Sequence, residues 1–270
     1  VSSLAAFGVG RVWSTVDVSG SFLGRRNFTR YDVEDAVGEP VAAALGVAYH
    51  GRRGGRVPPA GGLSWRVMVA GDRAVVGLRV GSRPLHRRGY RRVSRPGALH
   101  PPVAAAMVRL AGLPGRAGSR VVDPFCGTGT IAIEAAHLPT ASTVLGVDVE
   151  PAAIAAAVAN TPTAESATAG PVAGGPVSGR VGWAVGDAGR LPVASGSVDL
   201  VVGNPPWGRQ VAVVGEVERF WGEVRRVLVP GGRAVLLVHD ADLRGLPVVD
   251  RRPVSLFGAW PEIVTIAAGG

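Results

Sequence analysis

Three short stretches carry residue types whose spacing points to chemistry. The first is Asp123-Pro124-Phe125-Cys126-Gly127-Thr128-Gly129-Thr130, an acid followed by a turn with two glycines. Glycines let a backbone approach a ligand with no Cβ in the way, and the helix expected to follow offers free N–H groups. Alone the turn is ambiguous, because Gly127, Gly129 and Ala132 also satisfy the dinucleotide pattern G-x-G-x-x-A. Asp148, followed by Val149, stands 21 residues past Gly127. An acid there accepts ribose hydroxyl hydrogens in either cofactor class.

The second stretch, Asn204-Pro205-Pro206-Trp207, directly follows the apolar run Asp199 to Gly203. Two prolines lock the backbone and remove competing N–H groups. The Asn204 side-chain oxygen and the Pro205 carbonyl are then free to accept the hydrogens of one planar amine, with Trp207 as a face for a base to stack on. Hydride transfer has no evident use for this arrangement. The third stretch is Gly186-Asp187-Ala188, placed where the edge of an adenine would lie; a capped turn is its plainer reading. Cys126 has no histidine placed to activate it and reads as a small packed residue. The five histidines show no metal-ligand spacing, so no metal is expected.

The elements that must position these residues alternate strand and helix over the second half of the chain, the pattern of a doubly wound sheet. Strands are expected at Arg120–Asp123, Thr143–Val149, Val181–Val185, Val198–Gly203 and Arg233–His239, with two more near 252–257 and 261–267. Helices are expected at Thr128–Leu138, from Pro151 to Asn160, and at Glu216–Leu228, the last ended by Pro230-Gly231-Gly232. A Thr, Pro, Ala, Gly and Ser loop is expected over 161–179. In the first half, Val33, Val37, Val41 and Leu45 recur every four residues as a helical face, with Asp32 as its cap, Pro40 expected to kink or divide it and Gly46 as its end. Residues 51–62 read as an exposed loop. A hairpin, Trp65–Val69 and Ala74–Val80, turns around Ala70-Gly71-Asp72-Arg73. A further helix spans Val103–Leu110, and the domain boundary is expected near Ser94–Leu99.

Net charge is +9. Residues 1–98 hold 16 arginines and 6 acids, whereas residues 99–270 hold 13 and 14. The basic surplus is therefore N-terminal, as expected for a front half that faces a polyanion. Arg25, Arg26 and Arg30, and then Arg87, Arg88, Arg91 and Arg92, are the candidate phosphate contacts, with Tyr90 as a face for stacking. No apolar run approaches the roughly 18 residues that span a bilayer, and no membrane association is expected. A cytoplasmic address fits. The single cysteine excludes an internal disulfide.

These motifs resemble the THUMP-associated RNA methyltransferases that form N2-methylguanosine. The likeness rests on DPFCGTGTIAIEAA, GVDVEP and VGNPPWGRQ in the back half, and on SFLGRRNFTRYDVEDAVG, WRVMVAGDRAVVGLRV and PLHRRGYRR in the front half. It implies a Rossmann-like, seven-stranded class I methyltransferase domain over 97–270, preceded by an α+β THUMP-like RNA-binding region over 1–96. S-adenosyl-L-methionine would be the cofactor, held by Asp123, Phe125 to Thr130, Asp148, Val149, Asp187, Ala188 and Asn204. The substrate would be guanine N2 in tRNA, or alternatively rRNA. The family carries a ferredoxin-like domain before THUMP, and here the likeness begins at Ser21, so the THUMP-like region is expected to be incomplete. The Asn-Pro-Pro-aromatic tetrapeptide is shared with enzymes that methylate amino nitrogens of DNA bases and of protein glutamine. It specifies a nitrogen target and not the polymer. A DNA amino-nitrogen methyltransferase, a catalytically inactive RNA-binding protein and a nicotinamide-linked oxidoreductase are the alternatives.

Overall fold

The computed structural model describes residues 13–79, 86–112, 118–138, 141–162, 180–206, 214–239, 246–256 and 258–268. It divides into two compact units, Val1–Ser82 and Arg83–Gly270. The boundary thus falls before the arginine-rich segment and not near Ser94–Leu99. Counted by these units, ten arginines face six acids in 1–82 and nineteen face fourteen in 83–270, or +4 and +5. The basic surplus is shared between the units, because six arginines between 83 and 95 belong to the second.

In the first unit, β1 (Thr15–Phe22) runs parallel to β2 (Ala48–Tyr49) on one side and to β3 (Leu63–Ala70) on the other. β4 (Arg73–Leu78) completes the sheet antiparallel to β3, in the order β2-β1-β3-β4. The hairpin is as expected, but the central strand β1 was not foreseen. Its Asp17, Ser19, Gly20 and Ser21 depress a strand reading. Tertiary contacts offset them: Asp17 is buried, pairs with Arg52 and accepts from Ser64 Oγ at 2.6 Å.

Helix α1 (Arg30–Leu45) lays Val33, Val37, Val41 and Leu45 against the core of Val16, Val18, Leu63 and Val67. Thr29, not Asp32, is its N-cap; Asp32 sits at the third helical position and accepts from the Thr29 N–H at 2.7 Å, forming a capping box. Pro40 stays inside the unbroken helix. Pro40 and Ala36 are both exposed, so water can meet the carbonyl that the proline leaves unpaired. Gly46 ends the helix in the left-handed conformation.

The second unit holds a seven-stranded sheet, the fold class expected. Its strands are β5 (Ser119–Asp123), β6 (Ala141–Asp148), β7 (Arg180–Val185), β8 (Val198–Gly203), β9 (Leu228–Val238), β10 (Val248–Pro253) and β11 (Glu262–Ala267). They lie in the order β10-β11-β9-β8-β5-β6-β7, all parallel except β11, which is antiparallel to both its neighbours. Helices α2 (Pro101–Leu110), α3 (Thr130–Ala136), α4 (Pro151–Asn160) and α5 (Val214–Val227) accompany it.

Successive strand residues point to opposite faces, and two apolar layers result. Val121, Val144, Leu200 and Val235 join Met107 and Ile131 on one side. Val122, Val147, Val201 and Leu236 join Phe220 and Val224 on the other. Two boundaries moved. β10 lies earlier than the expected 252–257, and Pro230-Gly231-Gly232 falls inside β9, where the pairing with β8 shifts register between Leu228 and Arg233. The loop expected over 161–179 lies outside the described residues beyond Pro162. Among the described residues no helix is long and apolar enough to cross a membrane.

Candidate active site

β5 is flanked in parallel by β6 and β8, so the chain segments leaving all three strands gather at one edge of the sheet. The turn after β5 is pinned from both ends. Cys126 N–H donates to the Val147 carbonyl at 2.9 Å, and Gly129 N–H donates to the Cys126 carbonyl at 2.7 Å. Gly127 N–H donates to Oδ2 of Asp148 at 2.9 Å. Gly127 and Gly129 both have positive φ, for different reasons. A Cβ on Gly127 would meet nothing within 4 Å, so this backbone opens into free space. A Cβ on Gly129 would lie 2.6 Å from the Trp183 ring, which also crosses Gly146.

The acids differ in environment. Asp123 is fully buried, and burial pushes its carboxyl up to about 8, with the nearby Asp148 charge adding to the rise and a hydrogen bond from Phe125 N–H opposing it. Its Oδ1 accepts from Phe125 N–H at 3.2 Å, and its Oδ2 has no partner. The Thr128 hydroxyl is buried and unpartnered as well. Leaving buried polar atoms unsatisfied is costly, so both atoms fit a polar ligand that hydrogen-bonds to them. Asp148 accepts from Gly127 and, through Oδ1, from Glu150 N–H at 3.0 Å; its carboxylate keeps lone pairs for a ribose hydroxyl. Val149 beside it is exposed and apolar.

Gly186 N–H donates to the Asp148 carbonyl at 2.9 Å, which brings the Asp187 turn alongside. Asp187 Oδ1 caps that turn through Gly189 N–H at 2.8 Å, and its Oδ2 lies 3.4 Å from Arg219. The capped turn is therefore formed, with Ala188 buried behind it. Phe125 packs edge-on against Phe220 at 5.0 Å between centroids. Cys126 is buried and its thiol is pushed well above the usual range, chiefly by burial. It is a packed residue without a nucleophile's environment.

The Asn204 elbow lies beside this turn. β8 pairs with β5 through Val121 with Leu200 and Val122 with Val201. A Cβ on Gly203 would lie 3.3 Å from Pro124 Cδ and 3.5 Å from Asp123 Oδ1. Asn204 is half-buried, Pro205 buried and Pro206 exposed; Trp207 lies outside the described residues.

Two of the expected RNA contacts are drawn onto one acid inside the second unit. Arg88 Nε donates to Glu134 Oε1 at 2.7 Å, and the Tyr90 hydroxyl donates to the same oxygen at 2.7 Å. Tyr90 is buried and cannot stack on a base, because Glu134 and the surrounding core have taken it. Arg87 and Arg92 are exposed, and Arg91 bonds Ser94 Oγ at 2.9 Å. In the first unit Arg25 is exposed, Arg26 bonds the Gly71 carbonyl at 2.9 Å, and Arg30 stacks on Tyr31. Sequence reasoning missed an arginine-lined basin of about 400 Å3 there, formed by Arg30, Arg52, Arg56 and Arg66 around Glu34. Arg52 and Arg56 sit in the segment read only as an exposed loop. It also missed Glu134 and Asn160, although Glu134 is the one charged residue of the helix TIAIEAA and Asn160 the one polar residue of PAAIAAAVAN.

The family profile described as UPF0020, RMKL-like, methyltransferase domain, matches residues 88–244. A tRNA (guanine(6)-N2)-methyltransferase of Thermus thermophilus is 32% identical over 271 residues, which cover 94% of this chain and 74% of that protein. The crystal structure of TrmN from Thermus thermophilus matches with a TM-score of 0.65 and 30% identity, covering 99% of this chain and 78% of that one. The U6 snRNA (guanine-N(2))-methyltransferase THUMPD2 of Bos taurus is 30% identical over 64% of this chain, which spans only 32% of that protein.

Proposed function

This chain belongs to the RMKL-like methyltransferase family, and on that premise we propose that it methylates guanine N2 in tRNA, with S-adenosylmethionine as the methyl donor. The nicotinamide alternative ends here, since family and relatives are methyltransferases. The observation that carries the reading is the closeness of the two motifs: Gly203, which precedes Asn204, packs against Pro124 and the Asp123 carboxylate. One substrate can reach both.

When bound, S-adenosylmethionine supplies an electrophilic methyl carbon on a positively charged sulfur. The orphaned Oδ2 of Asp123 and hydroxyl of Thr128, with the carboxylate of Asp148, are the groups proposed to hold it. Val149, Asp187 and Ala188 would line the base-binding end. Asn204 Oδ1 and the Pro205 carbonyl would each accept one hydrogen of the exocyclic amine. That grip turns the nitrogen lone pair out of conjugation with the ring and aims it. Positioning and fixed charge then carry most of the rate. No strong base is needed before attack, because the nitrogen becomes acidic as its new bond forms. A paired guanine must leave its stack to reach the elbow.

The first unit is proposed as a THUMP-like RNA-binding region, in which Arg25, Arg26 and Arg30 are joined by Arg52, Arg56 and Arg66 of the basin. Arg87, Arg91 and Arg92 remain proposed phosphate contacts of the second unit, and a cytoplasmic location belongs to the same proposal. Mass spectrometry of nucleosides from unmodified tRNA, rRNA and DNA after incubation with protein and S-adenosylmethionine tests it. N2-methylguanosine in tRNA is expected; a methylated amino group only in DNA or rRNA would overturn it.

A further inference from the structure

One buried and one half-buried side chain that methyl transfer does not use lie between the arginine-rich segment and the cofactor turn. Asn160, the last residue of α4, is 1% exposed. Its Oδ1 accepts from the backbone N–H groups of Arg92 and Val93, each at 2.8 Å. Its Nδ2 donates to the Val93 carbonyl at 2.9 Å and to the Thr128 carbonyl at 3.0 Å. A carboxamide has two donor hydrogens and two acceptor lone pairs, so every capacity is filled. The second side chain is Glu134 of α3, which accepts from both Arg88 and Tyr90.

These contacts tie distant parts of the sequence. Asn160 reaches 67 residues back to Val93 and 32 back to Thr128, and Glu134 reaches 46 back to Arg88. Both anchors grip the frame of the cofactor turn: Asn160 holds Thr128 itself, and α3 begins two residues later. A side chain bonded to two backbones fixes one against the other, and buried, fully satisfied polar contacts of this kind specify a single arrangement. The Gly127–Gly129 backbone that faces the ligand and the backbone that carries Arg91 and Arg92 therefore form one rigid piece.

We propose that Asn160 is a positioning residue, with Glu134 as its second anchor, that locks the segment 88–93 to the cofactor turn so that cofactor affinity and RNA affinity depend on one shared set of contacts. The RNA half rests on the function proposed above. Asn160→Asp keeps both acceptor roles but turns a charged oxygen on the Val93 and Thr128 carbonyls. The full chain is measured by calorimetry with S-adenosylmethionine, by fluorescence anisotropy with unmodified tRNA, and by single-turnover methylation with both saturating.

Both dissociation constants of Asn160→Asp are expected to rise about tenfold or more, while the saturated single-turnover rate stays within about threefold, since buried carbonyls left without a donor have effects of at least this size. A general loss of structure would lower that rate too. Glu134→Gln, which keeps an acceptor for Tyr90 but drops the ion pair, serves if Asn160→Asp does not fold; both constants should rise about threefold. A folded variant that weakens only one ligand, or neither, overturns the lock. If the wild-type chain binds no tRNA, the functional reading fails separately; the cofactor constant then decides, a rise upholding the hold on the turn and no change overturning it.

Discussion

Gly203 and Asp123 stand side by side at the ends of adjacent parallel strands, so close that any side chain at 203 would sit 3.5 Å from the Asp123 carboxylate. Strand pairing alone brings this about. Because β8 lies next to β5, the elbow that begins at Asn204 opens against the turn that begins at Pro124. Ligands of open α/β sheets sit outside strand carboxyl ends, and here two chemically distinct motifs share that position.

Asp123 should make stability depend on pH. Its carboxyl stands at about 8 in the folded protein against an ordinary 3.8, because burial disfavours the charge. Between those values the folded chain keeps a proton that the unfolded chain has released. The stability it contributes is full below 3.8, declines as pH rises and is gone above about 8. Urea unfolding of wild type and Asp123→Asn should show their difference in stability shifting by a few kcal/mol against wild type from about pH 5 to about pH 9. A constant difference would mean that Asp123 is ionised throughout.

Asp148→Ala removes the acceptor of Gly127 N–H and the carboxylate proposed for the ribose. The dissociation constant for S-adenosylmethionine should rise about 10- to 100-fold, the range for hydrogen bonds to a charged group. Calorimetry at fixed ionic strength measures it. Unchanged affinity would remove Asp148 from the binding site.

Gly129→Ala forces a Cβ to within 2.6 Å of the Trp183 ring at a residue with φ of 83°. Strain and overpacking together should destabilise the protein by about 2–5 kcal/mol. Gly127→Ala has open space and the same backbone sign, so its loss should be smaller, about 1–2 kcal/mol. Thermal unfolding ranks the two; equal losses would mean that Trp183 moves aside freely.

The residues that sequence made legible are those whose chemistry is local. Asp123 to Thr130, Asp148 and Asn204-Pro205 announce themselves because a strand end, a tight turn and a rigid elbow are short-range events. β8 and α4 also appear where their apolar runs and their bounding Pro151 and Asn204 place them. What stayed hidden depends on contacts between distant residues. β1 is held as a strand by its ladder to β3 and the burial of Val16 and Val18, with Arg52 and Ser64 satisfying the buried Asp17. Tyr90 reads as an exposed contact residue in the sequence, yet it is buried, with its hydroxyl on Glu134, 44 residues away. Charge density showed where the arginines cluster but not which guanidiniums have internal partners.

The most direct test of the central claim is single-turnover methylation of unmodified tRNA by Asn204→Ala with S-adenosylmethionine saturating. If Asn204 grips the amine, the rate should fall about 10²- to 10³-fold, as for loss of one preorganised contact to reacting atoms, while calorimetry shows cofactor affinity within about threefold of wild type. A variant that methylates guanine N2 at the wild-type rate would contradict the account.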